Sequence, residues 1–212
     1  PMLWQVIVYY ALMFVFLYFC INRLQKRYFI GVLLCAIIII SRFNNSFKAV
    51  FLDVGQGDGI YIRNGNSVVL VDCGSSDNSS LYEYSLEPFL MSEGKSTIDY
   101  VFVTHTDSDH CSGIKALLEE NKLHIEVLVL PITENADEEQ AELLELTRQR
   151  GTEIVYIYAG LSLELEGVRV SCIHPERDYV PGDKNGNSIV LLVQYKELSM
   201  LLTGDIGERE ER

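Results

Sequence analysis

The stretch "VFVTHTDSDHCSG" (residues 101–113) places two histidines and two aspartates within six positions, directly after an apolar run typical of a buried β-strand. In an extended chain His105 and Asp107 point to one side, because side chains alternate along a strand. Asp109 and His110 can turn back toward the same space as the chain enters a helix. Two ligands from each pair suit two adjacent divalent metals, with imidazole favouring zinc and carboxylate favouring harder ions such as manganese.

A simpler explanation of this stretch needs no metal. Asp107 or Asp109 can be the N-cap of the following helix, and the two histidines can be polar surface residues. That explanation accounts well for any one of the four side chains alone. All four at this spacing, after a buried strand, favour the metal site.

Three further aspartates follow apolar, strand-like runs. Asp53, Asp72 and Asp205 lie in "FLDVG", "LVDCG" and "LLTGDIG". One such aspartate commonly forms a turn. Three of them, each near a glycine, indicate strand ends that converge at one edge of stacked sheets, where a metal site would be assembled.

The pattern from Phe47 onward predicts the fold class. Short β-branched runs alternate with turns and with two or three helices, of which "ADEEQAELLELTRQRG" has an acidic start, a basic last turn and a terminal glycine. Such a pattern predicts an α+β layered domain with mostly antiparallel sheets covered by helices. The five cysteines have no CxxC spacing, so neither a disulfide framework nor a zinc ribbon is indicated.

The first fifty residues have a different composition, with no Asp or Glu and two apolar runs. Met2 to Ile21 matches the ~20 residues that a helix needs to cross ~30 Å of hydrocarbon, and it predicts a transmembrane helix. Tyr28 to Ile40 is shorter, and a second span is favoured there over a buried or re-entrant helix. A secretory signal is disfavoured, because the first run lacks a basic start and a cleavage pattern. We therefore predict a transmembrane hairpin over residues 1–45 and a soluble domain over residues 46–212.

Charge bears on topology and on partners. The basic loop "NRLQKR" between the two apolar runs should face the cytoplasm, which would put the following domain on the extracytoplasmic side. Residues 51–212 hold all thirty acidic residues against twelve basic ones, a formal charge of −18. Nucleic acid would be repelled by this domain unless cations or a basic neighbouring region intervene.

Five stretches occur in the order and approximate spacing of the metallo-β-lactamase-like domain at the end of the ComEC competence membrane proteins: "FLDVGQGDGIYI", "VLVDCG", "THTDSDHCSG", "NGNSIVLLV" and "LLTGDIG". The chain resembles that family over essentially its whole length. The resemblance implies a metallo-β-lactamase-like αββα sandwich, truncated at its C-terminus and preceded by one or two transmembrane helices. It also implies a multi-pass protein of the bacterial cell membrane whose soluble domain is extracytoplasmic, and the start at Pro1 is expected to be internal.

The resemblance implies two divalent metal ions, Zn²⁺ or Mn²⁺. His105 and Asp107 resemble ligands of the first metal, with Asp107 standing where the broader superfamily usually has a histidine. Asp109 and His110 resemble ligands of the second metal.

Three other residues receive roles from the resemblance. Asp72 resembles the aspartate that supports the metal loop through hydrogen bonds, and Asp205 resembles the carboxylate that bridges the two metals. His174, in "SCIHPE", is either a third histidine ligand or a structural histidine, and both interpretations stay open. The superfamily's last histidine ligand follows the bridging aspartate, but the chain ends seven residues after Asp205. An incomplete site is therefore expected, binding one metal well and the second poorly.

Similarity to the family implies a phosphodiesterase, and the expected activity is that of a nuclease that attacks single-stranded DNA with a metal-activated water. Asp109 and Asp72 are the predicted catalytic residues, with Asp109 orienting the water or accepting its proton. Other DNA-uptake proteins are possible partners. Two alternatives remain: a cell-wall or secreted phosphoesterase of the same superfamily, and a catalytically silent metal domain of a DNA channel. The two apolar runs favour the competence function, since a secreted hydrolase would carry one removable signal.

Overall fold

The computed structural model describes residues 3–21, 46–133 and 137–211. The chain divides into two units, residues 1–44 and 45–212. The described part of the first unit is one α-helix, α1 (Leu3–Ile21). Within the three described ranges, no helix combines the length and the apolarity needed to span a membrane. The span predicted at Met2 to Ile21 is therefore not confirmed, and the second one, at Tyr28 to Ile40, lies outside the described residues.

The second unit begins with a six-stranded sheet in the order β1-β2-β3-β4-β5-β6. Its strands are Lys48–Phe51, Gly59–Asn64, Ser67–Cys73, Thr97–Phe102, His124–Pro131 and Glu153–Ile157. The first three strands pair antiparallel, whereas β3 to β6 pair parallel. Each parallel pair needs a crossover connection, because a hairpin turn can join only antiparallel strands.

Three helices make these crossovers. They are α2 (Glu87–Glu93), which continues a π-helical turn at Tyr82–Leu86, α3 (Ser108–Glu120) and α4 (Glu138–Arg150). The α4 helix has the ends predicted from its sequence: the Asp137 side chain accepts a hydrogen bond from Gln140 N, and Gly151 closes the helix in the left-handed conformation. That helix confirms the prediction drawn from its acidic start and terminal glycine.

The second sheet is antiparallel and has the order β10-β9-β8-β7. Its strands are Ser162–Leu165, Val168–His174, Val190–Tyr195 and Leu198–Leu202, with a 3₁₀ turn at Asn185–Asn187 between β8 and β9. The run "SIVLLVQYKELSMLLTGD" predicts a hairpin around Lys196 and Glu197, and the pairing of Leu198 with Tyr195 confirms it.

Two apolar cores hold the second unit together. One lies between the helices and the first sheet and includes Leu70, Val101 and Ile114. The other lies between the sheets and includes Val71 and Leu191. Burying each such side chain contributes ~1.5–3 kcal/mol. Because β3 faces both cores, its sequence is apolar without alternation.

The layers confirm the predicted α+β class and the sandwich of sheets and helices. In residues 46–133 and 137–211 the order is helices, first sheet, second sheet. A second helical layer, which would complete the predicted αββα order, is not among these residues. The parallel half of the first sheet is a finding that the sequence pattern did not predict.

Candidate metal centre

Asp72 is bound to the neighbouring strand end at the carboxyl edge of the first sheet. Its Oδ1 accepts a hydrogen bond from Thr104 N and its Oδ2 one from Thr104 Oγ1, both at 2.7 Å. This is possible because β3 and β4 are adjacent and parallel, so that they end at the same edge. Asp72 itself has a positive φ of 52°, a conformation that aspartate tolerates better than most residues. The carboxylate is buried and fixed in orientation.

His110, in the first turn of α3, faces this carboxylate. Its Nδ1 lies 2.9 Å from Asp72 Oδ2, and its Nε2 lies 3.4 Å from Asp205 Oδ1. Burial alone would lower the pKa of His110, but the hydrogen bond and negative charge of Asp72, with Asp205 and Asp109, raise it to about 9. The same geometry turns Nε2 toward Asp205, as expected for an imidazole whose other nitrogen is held by a carboxylate.

His105 provides the clearest indication that a metal ion binds at this centre. The side chain is only 2% exposed, and its Nε2 has no hydrogen-bond partner in the part of the chain that is described. Its ring centroid lies 4.0 Å from that of His110. Burial lowers the pKa of His105, and the positive charge of His110 lowers it further. A neutral imidazole with an unpaired, buried nitrogen is the form in which histidine binds a metal.

Two groups of ligand atoms meet at His110. The atoms of His105, Asp109 and His110 lie within 4.8 Å of one another, and so do those of Asp58, Asp72 and His110. Imidazole nitrogen and carboxylate oxygen together suit Zn²⁺ or Mn²⁺. The residues present therefore fit the metal ions that the sequence predicts, and the identity of the metal stays a prediction.

Asp107 is a member of neither group. Its carboxylate pairs with Lys184, which also contacts Asp137 Oδ2 at 2.8 Å. Its nearest predicted partner is His105, whose Nε2 lies 3.5 Å from Asp107 Oδ2. The backbone of Asp107 occupies the N-cap position of α3, yet its side chain makes no capping hydrogen bond. The N-cap explanation therefore holds for the backbone position of Asp107, but the side chain of Asp107 does not cap the helix.

Asp205 reaches the centre from the second sheet. It follows Gly204, which has a φ of +53° and lies against Thr104 so closely that a Cβ there would be 3.1 Å from Thr104 Oγ1. Ile189 N also donates a hydrogen bond to Thr104 O at 3.0 Å. The ends of β4 and β10 are thus brought together, and Asp205 is the predicted site residue that the second sheet brings to His110.

His174 lies outside both groups. Its Nε2 donates a hydrogen bond to Gly186 O at 2.9 Å, and its ring packs edge-on against Tyr179 at a centroid distance of 4.7 Å. These contacts are those expected of a structural histidine. Asp53 is exposed and is likewise absent from both groups.

Asp58 is the residue that the sequence interpretation missed. It comes from the glycine-rich turn "GQGDG" between β1 and β2, and it joins the group of Asp72 and His110. Burial raises its pKa; His110 opposes this increase, whereas neighbouring carboxylates such as Asp205 add to it. The available signal was an aspartate between glycines within "DVGQGD", the most specific part of the first motif.

Glycines let this turn approach the other two loops of the centre. A Cβ at Gly57 would lie 2.3 Å from Gly74 O and 2.4 Å from Asp109 O. A Cβ at Gly74 would lie 2.5 Å from Ser108 O and from His110 N. The three loops therefore touch through their main chains, with no room for a side chain between them.

A cleft of about 820 Å³ opens beside His105. Its lining includes Tyr179 and Asn187 and two cationic side chains, Arg177 and Lys184. The Arg177 guanidinium lies 5.4 Å from the centre of the Tyr158 ring, and within the described ranges it pairs with no carboxylate. Three carboxylates, including Asp137, also line the cleft, so its polarity is mixed.

Comparison with known proteins identifies the family of the chain. Residues 52–212 match the Metallo-beta-lactamase superfamily. ComE operon protein 3 of Bacillus subtilis (strain 168) is 28% identical over 175 residues, covering 76% of this chain and 22% of that protein. Recombination protein 2 of Haemophilus influenzae (strain ATCC 51907 / DSM 11121 / KW20 / Rd) is 27% identical over 194 residues, covering 91% of this chain and 22% of that protein.

Among solved structures, a metallo-β-lactamase with a HARLDQ motif from Cronobacter sakazakii has a TM-score of 0.49 and 16% identity, covering 73% of this chain and 58% of that one. The chain spans 22% of the length of each of these two curated relatives. The superfamily match, in contrast, covers residues 52–212 and contains every predicted metal ligand. The chain therefore belongs to the metallo-β-lactamase superfamily, whose members are generally metal-dependent hydrolases.

Proposed function

We propose that the chain carries the hydrolase domain of a DNA-uptake membrane protein and that it is a metal-dependent phosphodiesterase acting on single-stranded DNA. The observation that carries the proposal is the meeting of two nitrogen-and-oxygen ligand groups at His110, with the unpaired His105 Nε2 beside it. The competence-related relatives, one of them named a recombination protein, support DNA as the substrate.

The chemistry follows from what each residue can do at this centre. Two divalent ions, when bound, supply an activated water and stabilise the entering and leaving oxygens of a displacement at phosphorus. Asp72 fixes the His110 ring and keeps its Nδ1 occupied, which leaves Nε2 for binding. Asp109, in the first turn of α3 and within the first ligand group, is placed to accept the proton of the attacking water.

The cleft supports an extended, anionic substrate. A domain with a formal charge of −18 in residues 51–212 repels DNA at long range. Arg177 places positive charge in the cleft beside His105, where a phosphodiester next to the scissile bond would lie, whereas the charge of Lys184 is already paired with Asp107 and Asp137. Short-range binding by Arg177 and by the metal ions would offset the repulsion.

We also propose that the protein is an integral protein of the bacterial cell membrane with this domain on the extracytoplasmic side. The supports are the first fifty residues, which lack any acidic side chain, and the basic loop "NRLQKR". The test is a reporter fused after Arg212. Activity of a periplasmic-type reporter agrees with the proposal, whereas activity of a cytoplasmic reporter alone contradicts it.

The activity test compares two substrates on the whole chain loaded with Mn²⁺ or Zn²⁺. We expect cleavage of a single-stranded oligonucleotide that is lost in Asp109→Ala and His110→Ala. The matched control is His124→Ala, since His124 is exposed at the start of β5 and belongs to neither ligand group. Equal loss in the control would contradict a specific role for His110.

The two other outcomes identify the alternatives. Hydrolysis of nitrophenyl phosphate without cleavage of DNA would indicate a phosphomonoesterase of the same superfamily. No hydrolysis of either substrate with both metals bound would indicate a structural metal domain. Metal content measured on the same samples separates that last result from a simple failure to load.

A further inference from the structure

Asp58 is positioned by main-chain contacts to both of the loops that carry the other ligands. Its N–H donates a hydrogen bond to Asp109 O at 3.1 Å, and its carbonyl oxygen accepts one from Gly74 N at 3.0 Å. The first partner is in the opening turn of α3, and the second lies two residues after Asp72. The backbone of Asp58 is therefore fixed between the two loops, independently of its side chain.

The carboxylates of Asp58 and Asp72 differ in what they are already bound to. Asp72 accepts three hydrogen bonds, two from Thr104 and one from His110. In the described part of the chain, the Asp58 carboxylate accepts none and forms no ion pair, yet a ligand atom of this residue lies within 4.8 Å of one on His110. Of the two, Asp58 has both oxygens free to bind a cation.

Negative charge is concentrated around the two histidines. Four carboxylates, those of Asp58, Asp72, Asp109 and Asp205, surround them. Within the described ranges, no lysine or arginine pairs with any of these four carboxylates. Lys184 pairs with Asp107 and Asp137 instead. The unpaired Nε2 of His105, almost completely buried, is an independent sign that an electron-pair acceptor belongs there.

We propose that Asp58 is a direct metal ligand, coordinating the same ion as His110 Nε2, while Asp72 holds His110 from behind. The inference rests on the proposed metal centre and is independent of the substrate. It adds a carboxylate from the "GQGDG" turn to the ligands that the sequence predicted at residues 105–110 and 205. The first sheet's opening hairpin then becomes part of the centre.

The test measures manganese binding to the whole chain by atomic emission after dialysis and by titration. Wild type should bind two ions per chain, the second more weakly than the first. Asp58→Asn should retain one and bind the other at least roughly tenfold more weakly, as expected for the loss of a metal-orienting or ligating carboxylate. Asp53→Asn is the matched control, since Asp53 is an exposed aspartate five residues earlier and outside both groups.

A second variant reports coordination without relying on affinity. In Asp58→Cys loaded with Co²⁺, a thiolate bound to the ion should give a near-ultraviolet sulfur-to-cobalt charge-transfer band. Wild type should lack that band, since Cys73, Cys111 and Cys172 are buried, and its spectrum also serves as the reference for any contribution of Cys20 and Cys35. Circular dichroism of each variant verifies that it is folded.

Three results would overturn the inference: wild type binding fewer than two ions, Asp58→Asn binding both as tightly as wild type, or a folded Asp58→Cys without the new band. Failure of the proposed function looks different. Wild type would then bind two ions and lose one in Asp58→Asn, but it would not cleave DNA.

Discussion

His110 Nδ1 and Asp72 Oδ2 lie 2.9 Å apart at the edge where β3 and α3 meet. This one contact decides which imidazole nitrogen is available, because Nδ1 is engaged and only Nε2 is left for a metal. Asp72 is itself held by Thr104, so the orientation of His110 depends on a neighbouring strand as well as on its own helix.

Replacing Asp72 by asparagine should weaken metal binding without straining the backbone. Asparagine tolerates the positive φ at this position, but it lacks the negative charge that orients and polarises His110. We expect about a 10- to 100-fold loss of manganese or zinc affinity in a calorimetric titration. Asp99→Asn is the control, because Asp99 also accepts a main-chain hydrogen bond, from Val68 N at 2.6 Å, but lies outside the centre. An unchanged affinity in Asp72→Asn would contradict the assigned role.

The metal-free protein should lose stability as the pH rises above neutrality. The pKa of His110 is raised from 6.5 to about 9 in the folded state, so protonated His110 stabilises the fold. This contribution, about 3 kcal/mol, is fully present below pH ~6.5 and is lost as the pH rises through about 9. Urea unfolding in the presence of a chelator at pH 6 and pH 9 measures it. The same difference in His110→Gln would show that another group is responsible.

Gly74→Ala should destabilise the fold and the centre together. The added methyl group would meet Ser108 O and His110 N at 2.5 Å, and main-chain atoms cannot rotate away. We expect a loss of about 1–3 kcal/mol or more in the free energy of unfolding, as for other overpacked sites. Gly207→Ala is the comparison, since its methyl group would meet only a flexible Glu210 oxygen at 3.4 Å. Similar losses in both variants would contradict the importance of the close approach.

Arg177→Gln should raise the KM for a single-stranded oligonucleotide more than it lowers kcat. We expect an increase of about tenfold, equivalent to ~1.4 kcal/mol. The slope of log affinity against log salt should fall by about 0.7 if one phosphate contact is lost. Arg169→Gln is the matched control, because Arg169 lies on β8 and pairs with Glu164. A KM and a salt slope equal to those of wild type would exclude Arg177 from substrate binding.

Much of the fold followed from local patterns. The α4 helix and the β9–β10 hairpin were predicted because their end signals are carried by adjacent residues. The parallel pairing of β3 to β6 was not, since an apolar strand buried on both faces carries no mark of its partner's direction. That direction is decided by the crossover helices, which involve contacts distant in sequence.

The residues of the metal centre were also only partly predictable from the sequence. His105, Asp109 and His110 are brought together by one short segment, so their spacing in sequence was informative. Asp58 joins them only through the tertiary approach of a glycine turn, which alternation and helical periodicity do not encode. The pairing of Asp107 with Lys184 could not be predicted either, because the two residues are 77 positions apart in the sequence.

The main-chain contacts at Gly57 and Gly74 also bear on which substitutions and insertions the protein can accept during evolution. Because the loops meet at their main chains, backbone contact limits the spacing of the ligands in addition to the packing of core side chains. Apolar core residues beneath the sheet can therefore be replaced by others of similar volume while the distances between the ligands are kept. Insertions, by contrast, should be tolerated in the loops around the cleft and rejected at these two glycines.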